Sequence, residues 1–531
     1  MTRRPPLPPS AEDDPGQRRL SSLARFGSGN FPVPVLPVGL VRTRRRVAER
    51  AQARDSFASI ALTVVLTAMF MVNLSVTAIA VAVPKIAGEF DAAQSTIVWA
   101  VTGPILVSAV LGPTFGKLGD QRGHRTVFLF GLFVNAFFTI LIAASWSAGS
   151  FVVFRLLAAV GGAAIGPSAL AFINRLFAPE ERAVALGWWS FVGAGSPVIG
   201  VVAGGLIIDK IDWRWVFIGQ APLVFMAAVL AGFILPETTR QRAAAFDLPG
   251  AATLGVGVGG VLVAVTLAAD GPFEPVVVGF ALLGAVGLAA FVRIERTTAH
   301  PLIPPHYWTM RGFVVPTLTL ALLFAAYMGS FVLAPLMLQS VAFGATAAVT
   351  SRVIIARPLM FSLMGPITGR LVDRVGERFL AVSGGVSIVI SMLLLSLAGP
   401  GTSLGAVAFA LGLAGLGMGA AAPILTATVA NSVRDADLGV AGAAQQMLQQ
   451  VGLVVGVQIL QAVQASVEGD ALDGVDLEDT PVVISADAFD RVVNSYQTAF
   501  LVATGIAVLG VLVSLTLPKR SQSSAVMADS R

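Results

Sequence analysis

Long apolar runs separated by short polar stretches recur from residue 57 to residue 517. About 20 helical residues cover the ~30 Å of hydrocarbon in a bilayer, whereas a barrel strand needs only about 10. Runs of helical length fall near 57–83, 96–117, 126–146, 151–174, 184–207, 213–235, 249–269, 275–294, 313–340, 347–368, 378–398, 404–430, 438–464 and 496–517. The pattern predicts an all-α integral membrane fold with fourteen spans. Alternate loops differ in basic residues. One set holds Lys117, Arg122, Arg125, Arg175, Arg182, Arg240, Arg242, Arg293, Arg296, Arg311, Arg370, Arg374, Arg378, Arg434, Lys519 and Arg520; the other holds mainly Lys85, Lys210 and Arg214. Basic loops stay on the cytoplasmic side, so both termini are placed in the cytoplasm and the span number is even.

Only 12% of the 531 residues are charged and the mean hydropathy is +0.81, which fits a chain that faces lipid. The chain has no cysteine, which excludes disulfides, iron–sulfur clusters and thiol catalysis. His124, His300 and His306 fall in predicted loops, so no metal site or cofactor is expected within the membrane. The net charge of +5 comes from arginines spread over one set of loops, with no nucleic-acid-binding stripe. Residues 1–56 are Pro-rich and basic, without the apolar core and cleavage site of a signal peptide. They read as a disordered cytoplasmic arm touching anionic lipid.

The chain repeats itself. Gly112-Pro113-Thr114-Phe115-Gly116-Lys117-Leu118-Gly119-Asp120 returns 253 residues later as Gly365-Pro366-Ile367-Thr368-Gly369-Arg370-Leu371-Val372-Asp373. Gly123 and Arg125 match Gly376 and Arg378; Gly187, Gly200 and Gly204 match Gly439, Gly452 and Gly456; Pro167 matches Pro423. A duplicated half predicts two bundles related by an axis along the membrane normal, with substrate between them. The domains are then an arm at 1–56, a six-helix bundle at 57–235 and two inserted helices at 236–312. A second six-helix bundle follows at 313–517, with a periplasmic loop at 465–495, and then a cytoplasmic tail at 518–531.

Gly116 to Arg125 resembles the G-x-L-a-D-r-x-G-r-k signature of the major facilitator superfamily, with Gln121 where Arg is usual, and Gly369 to Arg378 matches it more closely. Span 5 carries Gly187, Ser196, Gly200, Val201, Gly204 and Gly205, similar to the antiporter pattern G-x8-G-x3-G-P-x2-G-G; Pro197 is placed to supply the kink that Val201 cannot. Asp212 to Phe217 with Pro222 resembles the W-R-W-x-F…P entry to span 6 of the superfamily, and Phe246 to Gly250 and Glu295 to Leu302 look typical of the branch with fourteen spans. From about residue 57 to 517 the chain resembles the fourteen-spanner drug:proton antiporters of that superfamily. The resemblance implies a fold of 6+2+6 helices in two pseudo-symmetric bundles, working by alternating access in a bacterial inner membrane as a monomer. Its partners would be a small amphipathic or lipid substrate and membrane lipid.

The same resemblance implies a conformational latch at Gly116, Asp120, Arg122, Arg125, Gly369, Asp373, Arg374 and Arg378. Asp120 would face the start of span 13 near Leu438, and Asp373 the start of span 5 near Glu181 and Arg182; a plain topogenic loop is the other reading. Gly187, Pro197, Gly200, Gly204 and Gly205 form the helix-packing motif. Arg155 on span 4 takes the position of the superfamily arginine used in proton coupling or substrate access, or else bonds carbonyls.

One departure matters most. Leu74 to Pro84 fits the family's first-span frame L-D-x-T-I-V-N-V-A-L-P, but Ser75 stands where the family has Asp and Ala80 where it has Asn. No predicted span interior holds Asp or Glu; only Arg155, Arg352 and Arg357 carry charge there. Arginine does not release its proton in proteins. Coupling would then use Asp120, Asp373 or Glu181, or the protein would move lipids or anionic amphipaths without ordinary proton exchange. Candidate substrate contacts are Asn73, Ser75, Arg155, Met328, Phe331, Arg357, Gln446 and Gln450. An enzyme is not expected, because no nucleophile, metal site or carboxylate pair lies in the predicted spans.

Overall fold

Residues 56–517 are described by a computed structural model, apart from 93, 239–246, 269–273, 300, 341 and 470–484. The first half forms α1 (Phe57–Glu89), α2 (Gln94–Arg122), α3 (His124–Ala143), α4 (Ala148–Leu176), α5 (Arg182–Lys210) and α6 (Arg214–Ile234). An inserted pair follows, α7 (Leu248–Leu267) and α8 (Pro275–Thr297). The second half forms α9 (Arg311–Gln339), a short α10 (Ala347–Ile354), α11 (Ala356–Val375), α12 (Glu377–Ser396), α13 (Leu404–Ser432), α14 (Leu438–Glu468) and α15 (Ala486–Ser514). Two single 3-10 turns, Pro305–Thr309 and Asp435–Asp437, precede α9 and α14.

Small polar side chains set several helix starts. Ser147 and Ser150 form a reciprocal capping box ahead of α4. Asp247, Ser403 and Ser485 accept a backbone N–H at the starts of α7, α13 and α15. Each such cap satisfies a backbone donor that the helix leaves open. Among the described residues, twelve helices are long and apolar enough to cross a membrane. The other two long helices, α5 and α11, have 29 and 20 residues. In α11 the apolar run is broken by Arg357, Arg370, Asp373 and Arg374.

Three boundaries differ from the sequence expectation. The span expected at 347–368 is two helices, α10 and α11, meeting at Ile355. Pro358 has no N–H to offer the Ile354 carbonyl, so the helix cannot run straight through. The loop expected at 465–495 is shorter, because α14 continues to Glu468 and α15 already begins at Ala486. His124, expected in a loop, is the first residue of α3 and is fully buried. The arm up to residue 55 and the tail at 518–531 lie outside the described residues, as does His300.

Helix pairing repeats between the halves. The pairs α1–α5, α2–α4, α3–α4, α3–α6 and α1–α6 have counterparts in α9–α14, α11–α13, α12–α13, α12–α15 and α9–α15. Glycines let these backbones touch. A Cβ on Gly452 would lie 2.4 Å from the Ala321 carbonyl oxygen, and one on Gly456 would lie 2.5 Å from that of Ala325. The inserted α7 and α8 pack mainly on each other, with Gly257 against Gly287 and Gly260 against Gly284. As a pair they lie over both α2 and α14 through α7. The halves meet each other chiefly through α5 against α11 and α2 against α14. These crossings lie at the ends that carry the basic loops.

Candidate functional site

The seam between α2 and α14 is built on two glycines. A Cβ on Gly116 would fall 2.6 Å from the Gly439 carbonyl oxygen, and one on Gly439 would fall 2.8 Å from that of Gly116. One turn beyond Gly116, Asp120 is 1% exposed and crosses to the other half. Its Oδ2 accepts the Val440 backbone N–H at 3.0 Å and its Oδ1 that of Gly439 at 3.3 Å. These donors open α14, where the helix dipole places partial positive charge that favours an anion.

Two further groups complete this carboxylate. Arg175, at the end of α4, donates from Nη2 to Asp120 Oδ1 at 2.9 Å, and His124 Nε2 lies 2.9 Å from the same oxygen. The His124 backbone N–H donates to Thr238 Oγ1 at 2.8 Å. Asp120 thus has a cation, an imidazole and two N–H donors from the other half. A charged hydrogen bond of this kind contributes about 1.5–3 kcal/mol.

A second arginine crosses near α5. Arg182 donates to the Asn174 carbonyl at 2.9 Å, to Asn431 Oδ1 at 2.8 Å and to the Ala430 carbonyl at 3.4 Å; Asp435 Oδ1 lies 3.9 Å away. Arg175 reads from the sequence only as a basic-loop residue and His124 only as a loop residue, while Arg182 is expected at the start of span 5 opposite Asp373. The repeat itself held the clue, because Glu377 takes the place of His124 and Asn431 that of Arg175. Asp373 is exposed at the end of α11, where the counterpart of Asp120 is buried. Glu377 accepts from Thr428 Oγ1 at 3.2 Å. Asp373 lies near the end of α11 and Glu377 opens α12 beyond Gly376, so Glu377 and Asn431 stand where His124 and Arg175 hold Asp120.

The other expected latch residues are dispersed. Arg125 turns inward, donating to the Gly232 carbonyl and lying 3.8 Å from Glu237, which ties α3 to the end of α6. Arg122 and Arg374 are exposed and Arg378 is half-buried. Gly369 lies against the α5 backbone, where its Cβ would be 2.5 Å from Val184 Cα. Gly187 faces α11 and Gly200 is buried. Pro197, Gly204, Gly205 and Ser75 lie in helices, but their surroundings fall outside the described residues.

The residues expected to touch substrate do not share one pocket. Arg155 on α4 is buried, and its Nε donates to the Ala100 carbonyl of α2 at 3.1 Å. Arg357 donates to the Tyr327 carbonyl at 2.6 Å, with its guanidinium 4.2 Å from the Tyr327 ring centroid and 4.3 Å from that of Phe331. Met328 stands half-buried on the same helix as these rings and Asn73 is half-buried on α1. The Gln446 amide packs over Gly166 of α4, with Oε1 3.0 Å from where a Cβ would stand. Gln450 Oε1 and Gln445 Nε2 are buried with no hydrogen-bond partner among the described residues. An apolar groove of about 790 Å³ lies elsewhere, between α3 and α6, lined by Phe133, Phe137, Ile140, Ile218 and Phe225.

Carboxylates are also closer to the membrane than the sequence suggested. Glu295 is inside α8 and buried, accepting the backbone N–H groups of Leu302 and Ile303 at 2.9 and 3.1 Å. That contact fixes the strand of chain leading to Tyr307, whose hydroxyl donates to Asp437 Oδ2 at 2.7 Å just ahead of α14. Among the described residues no cluster of three or more His, Cys, Asp or Glu is arranged to hold a metal.

Two halves whose long helices pair in the same order, joined by glycine crossings and held by a carboxylate on a helix start, define a polytopic membrane transporter. The chain belongs to the Major Facilitator Superfamily, whose family model matches residues 65–457. Its relatives include the multidrug transporter protein MdtP of Bacillus subtilis, 27% identical over 79% of this chain and 78% of that one. The puromycin resistance protein pur8 of Streptomyces alboniger is 29% identical over 87% and 92% of the two chains. The tetracenomycin C resistance and export protein of Streptomyces glaucescens is 29% identical over 77% and 76%. The fold is shared with the human organic anion transporter MFSD10, at a TM-score of 0.59 and 16% identity over 86% of this chain and 99% of that one. It is shared equally with the proton:xylose symporter XylE, at 0.59 and 13% over 87% and 96%.

Proposed function

We propose that this chain exports amphipathic drugs or lipid-like compounds across a bacterial inner membrane, exchanging them for protons by alternating access of the halves 57–235 and 313–517. The basic loops and both termini face the cytoplasm. The observation that carries this reading is Asp120 of the first half seated on the start of α14 of the second. That contact closes the cytoplasmic side and leaves the opposite side as the exit. Breaking it must precede substrate entry from the cytoplasm. Drug-resistance exporters among the relatives support the substrate class, and the inserted pair α7 and α8 between the two halves supports the fourteen-span branch.

A second reading follows from Ser75, which stands where the family has its first-span carboxylate. On that reading the protein moves lipid or anionic amphipaths without ordinary proton exchange, and Arg357, between the Tyr327 and Phe331 rings, offers its charge to the anion. The two separate in proteoliposomes carrying an imposed pH gradient, tested with cationic dyes and lysolipids. Substrate-triggered proton movement supports exchange. Transport with no proton movement overturns it in favour of the second reading.

A further inference from the structure

His124 stands where the superfamily signature places a fixed cation, and its ring lies in the seam itself. A Cβ on Gly119 of α2 would meet His124 Nδ1 at 2.3 Å, and one on Gly439 of α14 would meet its Cε1 at 2.4 Å. The imidazole is thus held between a glycine of each half, at 0% exposure. Nε2 is satisfied by Asp120 at 2.9 Å, while Nδ1 is buried with no hydrogen-bond partner among the described residues.

We propose that His124 is a proton-binding site that is empty while the seam is closed and fills from the cytoplasm when it opens, so that cytoplasmic acidification favours the cytoplasm-open state. The inference rests on the latch reading of Asp120. In the closed seam a second proton would create an unpaired N–H donor and a second buried cation beside Arg175, which already neutralises Asp120 at 2.9 Å. Both carry a desolvation cost. Lys117 and Arg122 of α2, Arg125 of α3 and Arg434 before α14 add positive charge at this end, while Glu237, Asp435 and Asp437 add negative charge. When α14 moves away, water reaches Nδ1 and Asp120 loses the Gly439 and Val440 N–H groups. The carboxylate then draws its compensation from the imidazolium. A site that binds its ligand in one state only shifts the equilibrium toward that state. Below about pH 6.5, the ordinary histidine value, the open-to-closed ratio should rise by up to about tenfold per pH unit.

The chain has no cysteine, so Glu180→Cys and Val375→Cys, both exposed and on opposite sides of the α5–α11 crossing, can carry spin labels in the full-length protein. The long-distance population should grow several-fold in the wild type between pH 8 and pH 5.5, and H124Q should stay closed and independent of pH. D120N should be open at every pH. If D120N opens the seam while H124Q keeps the wild-type pH response, His124 is not the site and only this inference falls. If D120N leaves the seam closed, the latch reading falls with it. Should H124Q fail to fold, histidine-labelled nuclear magnetic resonance of D120N provides the second measurement, since only three histidines are present. His124 titrating there near pH 6.5 is the expected result, and an imidazole still neutral at pH 5.5 overturns the inference.

Discussion

Gly187 of α5 and Gly365 of α11 touch backbone to backbone: a Cβ on Gly187 would stand 2.4 Å from the Gly365 carbonyl oxygen, and one on Gly365 2.7 Å from that of Gly187. In the repeat Gly187 corresponds to Gly439, but Gly365 corresponds to Gly112, one turn from Gly116. The two crossings between the halves are therefore out of register by one helical turn.

Gly365→Ala should push α5 and α11 apart, because the clashing partner is backbone and cannot rotate away. Overpacking of this kind costs about 1–3 kcal/mol, or roughly 5- to 150-fold in the closed-to-open ratio. Distances between labels at Glu180→Cys and Val375→Cys should lengthen, and drug efflux from cells should fall. Unchanged distances would mean that the crossing is looser than its geometry.

Asp120→Asn should be far more damaging than Asp373→Asn. Asp120 is buried on charged and helix-start donors and its loss removes about 1.5–3 kcal/mol, while exposed Asp373 should be worth less than about 0.5 kcal/mol. Transport rates of the two variants, at matched expression, check this difference. Equal losses would show that the latch works at both crossings.

Arg357→Lys should fail to replace arginine. The guanidinium bonds the Tyr327 carbonyl and lies over two rings, and an ammonium lacks the planar fork for both. If the group serves packing, Arg357→Lys lowers the melting temperature and transport of every substrate suffers alike. If it serves an anionic ligand, lysolipid transport falls several-fold more than that of a cationic dye.

Tyr307→Phe should loosen the start of α14. Burial and then the Asp437 carboxylate push the Tyr307 phenol up to about 12. A group raised in the folded state stabilises fully below its unfolded value, about 10, and that contribution is lost as pH rises toward 12. The wild type should therefore lose melting temperature between about pH 10 and 12 beyond what Tyr307→Phe loses. At pH 7 the variant should be less stable by about 1–3 kcal/mol, measured by thermal unfolding in detergent.

The twelve helices that are long and apolar enough to cross a membrane among the described residues were legible because a hydrophobic run of about 20 residues has one stable use in lipid. The family resemblance of the signature loop placed Asp120 at the start of the span near Leu438, and there the carboxylate accepts the Gly439 and Val440 N–H groups. What stayed hidden were side chains whose meaning depends on the partner half. His124 and Arg175 look like ordinary loop residues until α14 stands opposite them, and Arg182, expected near Asp373, binds the end of α13 instead. Glu295 likewise read as a loop residue, because its partners, the Leu302 and Ile303 N–H groups, lie in a segment with no periodic pattern. The break at Ile355 was missed because Pro358 sits where a first helical turn tolerates proline, which makes it as much a helix start as a kink.

The inserted hairpin has a further consequence for how the chain enters its membrane. Because α7 and α8 come as a pair, they return the chain to the side it left, so the second half is threaded with the same sidedness as the first. A single extra helix would have inverted α9 to α15 and separated Asp120 from the start of α14 by the full thickness of the bilayer. Gly257 against Gly287 and Gly260 against Gly284 let the pair close on itself after the first half and ahead of the second in chain order.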